Sequence, residues 1–236
     1  MRKLYPSILG LTLFFVAMSL FAGDKPVLAV AEFKNETSAG WWYGGVGRDL
    51  AGMLTNELAS TERFKLVERD KLDKVLDEQD LAASGRVNKK SAAQTGKLTG
   101  AQYLVMATVT SYDERTKGGG GGVSFRGLSV GGKKDEAYIA VDLRVVDTET
   151  GEVEFTRTVE ARSGGYGLNV GVYRGGFAGN LGKYENTPAG KAIRGVIMEI
   201  SEYLSCAMVD QDDCMDEYRA KEDRRKEKTK KSIRIE

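Results

Sequence analysis

The spacing of apolar residues in the first half of the chain predicts strands that alternate with helices. Residues 26–33, which read PVLAVAEF, have the Val- and Ala-rich composition of a buried strand. Apolar residues then recur at helical spacing over residues 46–59 and over residues 72–81, where the side chain of Asp70 is expected to cap the helix. Between these helices, residues 64–67 are predicted to form a short strand.

The second half of the chain continues this mixed pattern. A short helix is predicted over residues 91–98, and strands are predicted over residues 102–112, 138–146 and 152–159. The last two strands form a hairpin around the turn sequence ETG. An amphipathic helix over residues 188–208 closes the domain. Because helices and strands interleave, the predicted fold class is α/β (α+β).

Two glycine-rich segments, residues 113–136 and 163–187, interrupt this pattern. Their composition alone is consistent with two flexible loops. In the first segment, however, apolar residues would pair across a two-residue turn at Arg126 and Gly127, and in the second they alternate with glycine and polar residues. Such alternation is typical of a strand with one face toward lipid and the other toward water. The positions predicted to face lipid are Val123, Phe125, Leu128, Val130, Tyr166, Leu168, Val170 and Val172.

The length of these segments favours membrane hairpins that are shared between subunits. Each segment is long enough for two strands of about 9–11 residues, the length that crosses a bilayer. Four strands cannot close a barrel, and open strand edges are not tolerated in lipid. The hairpin interpretation therefore requires the chain to assemble as a ring.

The N-terminus has the residue order of a secretory signal peptide. Arg2 and Lys3 precede an apolar stretch over residues 8–21, and the small residues Ala22 and Gly23 follow it. The apolar stretch is shorter than the length of about 20 residues that a membrane-spanning helix needs. Removal of residues 1–22 would leave a nearly neutral chain, whereas a nucleic-acid-binding protein normally carries a basic excess.

Residues that could carry catalysis or bind a metal are few. The chain has no histidine, which is the commonest general base and the commonest metal ligand. The phosphate-binding motif GxxxxGK[ST] is also missing from its glycine runs. We therefore expect no enzymatic activity and no cofactor or metal site. Cys206 and Cys214 are candidates for a disulfide in an oxidising compartment, although two free thiols fit the same spacing.

Several stretches, taken in order, resemble the CsgG family of curli-type secretion channels of the outer membrane. The most specific of them read LVERDKLDKVLDEQ, LTGAQYLVMATVTSYD, YIAVDLRVVDTETGEV and GYGLNVGVYRG. The resemblance extends from residue 27 to residue 204, which is most of the predicted mature chain.

This resemblance implies a periplasmic α/β domain that forms a homo-oligomeric ring, with two hairpins per subunit in one shared barrel. The largest known barrels have about 36 strands, so four strands per subunit imply roughly nine subunits. The family exports unfolded, amyloid-type polypeptides across the outer-membrane lipid by passive diffusion, with accessory proteins on either side. It narrows the channel with a loop after the first strand, which corresponds here to residues 39–45 and would place Trp41, Trp42 and Tyr43 at the constriction.

The expected organisation is a signal peptide (1–22), a CsgG-like domain (23–208) and a charged tail (209–236) that is either an exposed helix or disordered. The curli channel is a lipoprotein, but this chain has no cysteine near the predicted cleavage point. An alternative to the outer-membrane channel is therefore a soluble periplasmic adaptor that binds its partners by β-strand addition.

Overall fold

The computed structural model describes residues 24–118, 123–125, 128–130, 133–163 and 187–233 of the chain. The strands are β1 (Val27–Val30), β2 (Lys34–Asn35), β3 (Lys65–Leu66), β4 (Tyr103–Gly118), β5 (Val123–Phe125), β6 (Leu128–Val130), β7 (Lys133–Asp147) and β8 (Val153–Ser163). The helices are α1 (Val46–Ser60), α2 (Leu72–Ala83), α3 (Pro188–Ser205) and α4 (Cys214–Ser232), with a π-helical turn over Cys206–Asp210.

Among these residues, six strands form one mixed sheet in the order β3-β1-β4-β7-β8, with β2 beside β4. Strand β1 is parallel to β3 and β4, whereas β7 is antiparallel to both β4 and β8. Strands β5 and β6 form a separate antiparallel pair. The structure therefore confirms the mixed α/β class that the sequence predicts.

The hydrophobic core lies between one face of the six-stranded sheet and helices α1 and α3. Along β7, Val141, Leu143 and Val145 are fully buried, whereas Asp142 and Arg144 between them are not, because successive side chains point to opposite faces of a sheet. The two helices contribute apolar residues that recur every three or four positions, as the sequence predicts. These residues are Val46, Leu50, Leu54, Leu58, Ile193, Val196, Ile197, Ile200 and Leu204.

Helix α3 begins where the sequence predicts, because Thr187 and Pro188 favour a helix start. The side-chain oxygen of Thr187 accepts a hydrogen bond from the backbone N–H of Gly190 at 3.1 Å. Pro188 occupies the first turn, where a missing N–H costs no helical hydrogen bond. The helix then packs across β7 and β8 and contacts α1.

Helix α2 differs from the sequence prediction at its cap and in its burial. The side chain of Asp70 does not cap the helix; instead, the longer side chain of Glu68 reaches forward and accepts hydrogen bonds from the backbone N–H groups of Asp70 and Lys71 at 2.9 and 3.3 Å. No α2 residue is buried by the described chain, and three of the four residues of its apolar stripe are 38 to 43 % exposed. These three are Val75, Leu76 and Leu81, and the fourth, Leu72, is partly exposed.

The helix predicted over residues 91–98 is wrong, because the structure has turns and irregular backbone there. Gly96 adopts a φ of 73°, a left-handed conformation that interrupts a right-handed helix. So short a segment also gains few hydrogen bonds for the cost of nucleating a helix, and no packing partner compensates for this within the described chain.

Most of the described part of the charged tail is helical, as α4. Ion pairs three or four residues apart support α4, as between Glu222 and Arg225 at 2.7 Å and between Glu227 and Lys231 at 3.3 Å. Tyr218 is its one buried residue, and it anchors the helix to the rest of the domain. In the part of the chain that the structure describes, every helix is too short or too polar to cross a membrane.

Candidate functional site

The first glycine-rich segment leaves the domain as a paired extension of β4 and β7. The two strands pair from Tyr103 with Asp147 to Gly118 with Lys133, with one register shift near Val109. Strand β4 is therefore longer than predicted, because its pairing with β7 continues beyond the part of the sheet that β8 joins. The first glycine-rich segment therefore begins and ends in the paired strands β4 and β7.

Beyond this ladder, β5 and β6 pair in the register that the sequence predicts. Val123 is opposite Val130, and Phe125 is opposite Leu128. The backbone pairing thus matches a hairpin, whose proposed turn at residues 126–127 lies outside the described residues. The lipid-facing role of these four apolar residues stays a prediction.

The residues on either side of the second glycine-rich segment lie next to each other in the domain. Strand β8 ends at Ser163, which pairs with Ala137, and α3 begins at Pro188. The hydroxyl of Ser163 donates a hydrogen bond to the carbonyl oxygen of Pro188, so the two ends of the intervening segment are in contact. The predicted lipid-facing residues Tyr166, Leu168, Val170 and Val172 lie outside the described residues, and their role stays a prediction.

Both segments start from the same end of the sheet, which we call the exit end and define by Gly118, Lys133, Ser163 and Pro188. Strands β4 and β8 run toward this end and β7 runs away from it, because β7 is antiparallel to both. Since β4, β7 and β8 are adjacent, the two segments depart side by side. This is the arrangement that two neighbouring hairpins of one barrel require.

We call residues 39–45, which include Trp41, Trp42 and Tyr43, the aromatic loop. This loop lies beside β4 close to the exit end. Strand β2 pairs with β4 at Thr108 and Val109, and the backbone N–H of Glu36 extends this pairing to the carbonyl oxygen of Val109. Farther along the loop, the ring of Trp41 meets the ring of Tyr112 edge-on, with centroids 5.4 Å apart. The loop therefore turns next to the part of β4 that leads into the first glycine-rich segment.

The three aromatic residues of the loop are buried to different extents. Trp41 is only 6 % exposed and belongs to the hydrophobic core. Trp42, whose ring centroid lies 5.5 Å from that of Trp41, and Tyr43 are half-buried and pack against the core from outside. In the described monomer, therefore, Trp42 and Tyr43 keep surface for another molecule, whereas Trp41 fixes the loop to the domain. The constriction role of all three stays a prediction.

A close backbone contact between Phe33 and Gly47 locks the two ends of the loop together. The backbone N–H of Phe33 donates to the carbonyl oxygen of Gly47 at 3.1 Å. A Cβ atom at position 47 would lie 2.4 Å from the carbonyl oxygen of Phe33, so only glycine fits there without a shift. Sequence reasoning missed this contact, for which a glycine at the start of a helix is the only signal.

A second cluster that the sequence did not reveal surrounds Arg157 on β8. Its guanidinium lies 5.0 Å from the ring centroid of Tyr203 and 4.6 Å from that of Tyr218. It also donates a hydrogen bond from Nη1 to the carbonyl oxygen of Tyr218 and lies 3.8 Å from Glu199. Burial raises the pKa of Tyr218 and, more weakly, that of Tyr203 above the ordinary tyrosine value. The signal available in the sequence was a single arginine among the inward-facing residues of β8.

The structure joins Cys206 and Cys214 in a disulfide, with their Cα atoms 6.1 Å apart. The bond links the π-helical turn after α3 to the first residue of α4. It thus fixes the start of the helix that carries Tyr218.

The chain matches several curated proteins in part of its sequence. A stretch of 133 residues is 27% identical to the curli production assembly/transport component CsgG of Escherichia coli (strain K12), of Salmonella typhimurium and of Citrobacter koseri. That stretch covers 55% of this chain and 48% of each relative, so the chain matches about half the length of the curated relatives.

Solved structures also match this chain, at low sequence identity and low structural overlap. The hypothetical protein CT253 from Chlamydia trachomatis is 14% identical, covers 79% of this chain and 99% of its own, and has a TM-score of 0.47. A PelC dodecamer from Paraburkholderia phytofirmans is 15% identical, covers 78% of this chain and 88% of its own, and has a TM-score of 0.38. The family model for the curli production assembly/transport component CsgG matches residues 15–233, and the chain therefore belongs to the CsgG family.

Proposed function

We propose that this chain is a subunit of a homo-oligomeric outer-membrane channel that exports unfolded polypeptides. The observation that carries the proposal is the exit end, where two glycine-rich segments depart from adjacent strands beside an aromatic loop. Membership of the CsgG family supports a role in curli-type secretion.

In the proposed assembly, each subunit contributes two hairpins to one barrel. The ladder of β4 and β7 beyond Ala137 supports the first hairpin, and the contact between Ser163 and Pro188 supports the second. Four strands leave open edges, so neighbouring subunits pair with them to close the barrel. A ring of roughly nine subunits gives about 36 strands, the size of the largest known barrels.

The aromatic loop forms the constriction of this channel. Trp42 and Tyr43 supply flat, rigid rings to the passage, which suits contact with an extended chain without readout of its side chains. Trp41 is the buried anchor that holds the two rings in place. Repeated around the ring, each loop lies at the same height because it is fixed to β4 of its own subunit.

The proposed channel works without catalysis or a cofactor, by passive diffusion of unfolded, amyloid-type cargo. Its location is the outer membrane facing the periplasm, reached by signal-peptide export, and its further contacts are lipid and accessory proteins of the periplasm or the cell surface. Nucleic acid is not among the proposed partners, because the chain carries almost equal numbers of basic and acidic residues.

Membrane fractionation followed by electrophoresis of unheated samples tests this proposal. We expect the mature chain in the outer-membrane fraction, and we expect it to migrate as a large oligomer that heating dissociates. Recovery as a monomer from the soluble periplasm would contradict the channel and would favour the periplasmic adaptor. Gly47→Ala, which disturbs the base of the aromatic loop, is a useful comparison because it leaves both glycine-rich segments unchanged.

A further inference from the structure

Strand β8 is the last strand of the sheet, and its outer edge pairs with no other strand among the described residues. The strand is 11 residues long, from Val153 to Ser163. An unpaired edge presents a row of N–H and C=O groups that can pair with another chain, and natural proteins usually cover such an edge.

Helix α4 lies beside the middle part of this edge. A cleft of about 170 Å³ is lined on one side by residues 157–160 of β8, and on the other by Glu199 of α3 with Lys221, Glu222 and Arg225 of α4. Four consecutive strand residues point alternately to opposite faces of the sheet, so a cleft that touches all of them runs along the edge of the strand. We call it the β8 cleft.

A single aromatic side chain anchors α4 in this position. Tyr218 is 7 % exposed, and its ring packs edge-on against Tyr203 at 5.2 Å and beside the guanidinium of Arg157. We call the space between Tyr203 and Arg157, which the ring of Tyr218 fills, the slot. Outside the slot, Lys221 pairs with Glu199 at 3.4 Å, and this lysine is partly exposed to solvent. Because a partly exposed ion pair contributes little, Tyr218 is the main contact that holds the second turn of α4.

The disulfide holds the first residue of α4, four residues before Tyr218. Between Cys206 and Cys214 the chain reverses at Gln211, which adopts a left-handed φ of 50°. Beyond Cys214, Met215 and Tyr218 of α4 pack with the hydrophobic core, and Lys221 pairs with Glu199. The core contacts of α4 thus lie in its first two turns, so the helix can leave β8 only if Tyr218 leaves the core.

We propose that α4 is a displaceable cover over a strand-accepting edge, and that its ligand is an extended polypeptide segment that carries an aromatic residue. The segment pairs with the main chain of β8, and its aromatic ring takes the place of Tyr218 between Tyr203 and Arg157. Arg157 favours this exchange because its Nε has no hydrogen-bond partner within the described chain and can donate to a carbonyl oxygen of the ligand. The proposal concerns the described domain alone and holds whether or not the chain forms a channel.

The Tyr218→Ala variant of the full mature chain tests the proposal. The probe is a short fluorescein-labelled peptide in which tyrosine alternates with threonine, and binding is followed by fluorescence anisotropy. We expect Tyr218→Ala to bind the peptide at least about tenfold more tightly than the wild type. A peptide with serine in place of each tyrosine is expected to lose this gain. The matched control is Arg219→Ala on the same helix, which removes only an exposed pair with Asp216 and is expected to bind like the wild type.

Hydrogen exchange of the β8 amides at residues 157–160 gives an independent measure of the cover. We expect faster exchange in Tyr218→Ala and renewed protection when the peptide is added. The double variant Cys206→Ala/Cys214→Ala frees the start of α4 without touching the slot, and it is expected to show a smaller gain in the same direction. A folded Tyr218→Ala chain with wild-type affinity and exchange would overturn the proposal. If Tyr218→Ala does not fold, wild-type behaviour of the double cysteine variant would overturn it instead.

Discussion

Replacement of Trp41 and of Trp42 by alanine should affect stability very differently, although the two residues are adjacent. Trp41 is 6 % exposed, and its ring contacts both Tyr112 and Trp42, whereas Trp42 is half-buried at the edge of the core. The family resemblance predicts that both residues lie in the same constriction loop. The structure predicts that Trp41 stabilises the fold and that Trp42 is available for function.

The expected magnitude follows from the burial of the indole ring. Truncation of a buried tryptophan to alanine costs about 3–5 kcal/mol, because the lost transfer free energy adds to the cost of a cavity. The edge-on contact with Tyr112 contributes about 0.5–1.5 kcal/mol of this. A domain of this size has a total stability of about 5–15 kcal/mol, so Trp41→Ala should remove a large part of it. Trp42→Ala should cost about 1–2 kcal/mol, since its ring is only partly buried against the core.

Urea unfolding of the mature chain, followed by far-UV circular dichroism, measures both variants without depending on tryptophan fluorescence. Trp41→Phe is the control for ring packing. The indole Nε1 of Trp41 has no hydrogen-bond partner in the described part of the chain, so phenylalanine should lose no polar contact and should cost no more than about 2 kcal/mol. Equal losses for Trp41→Ala and Trp42→Ala, within about 0.5 kcal/mol, would refute the division of the loop into anchor and surface.

Three further predictions test the packing around the loop and the C-terminal helix. Gly47→Ala should destabilise the domain by about 1–3 kcal/mol because its Cβ would lie 2.4 Å from the carbonyl oxygen of Phe33. Gly52→Ala on the same helix meets nothing within 4 Å and should be neutral or stabilising, and equal losses in urea unfolding would contradict this. Burial raises the pKa of Tyr218, so its contribution to stability is present below the ordinary tyrosine pKa of about 10 and is lost as the pH rises through the raised folded value. Thermal unfolding across this range should show a smaller alkaline loss for Tyr218→Phe than for the wild type, and identical profiles would contradict the assignment. Removal of the disulfide by Cys206→Ala/Cys214→Ala should cost about 2–3 kcal/mol, the entropy of closing so short a loop, and an unchanged urea midpoint would contradict this.

The sequence predicted the elements whose burial follows a regular period. Helices α1 and α3 have apolar residues every three or four positions, and strands β7 and β8 alternate, so pattern and structure agree. The pairing of Val123 with Val130 and of Phe125 with Leu128 was also predictable, because a short hairpin places residues at equal distances from its turn opposite one another.

The sequence could not predict features that depend on contacts between distant residues. A helix was predicted over residues 91–98 from local pattern, but Gly96 and the lack of a packing partner among the described residues decide against it. The depth of Trp41 depends on Tyr112, which is far away in the sequence. Tyr218 lies in a strongly charged tail, so nothing in its local sequence indicates that Tyr203 and Arg157 bury it.

Single-channel conductance of the purified oligomer in a planar lipid bilayer tests the central claim most directly. The account predicts a discrete, large conductance for the wild type and a larger one for Trp42→Ala, because removal of the indole rings widens the constriction. Arg219→Ala, on the exposed side of α4, serves as the matched control and should conduct like the wild type. An oligomer without discrete conductance would contradict the proposed channel. A Trp42→Ala oligomer with wild-type conductance would contradict the assignment of this loop to its constriction.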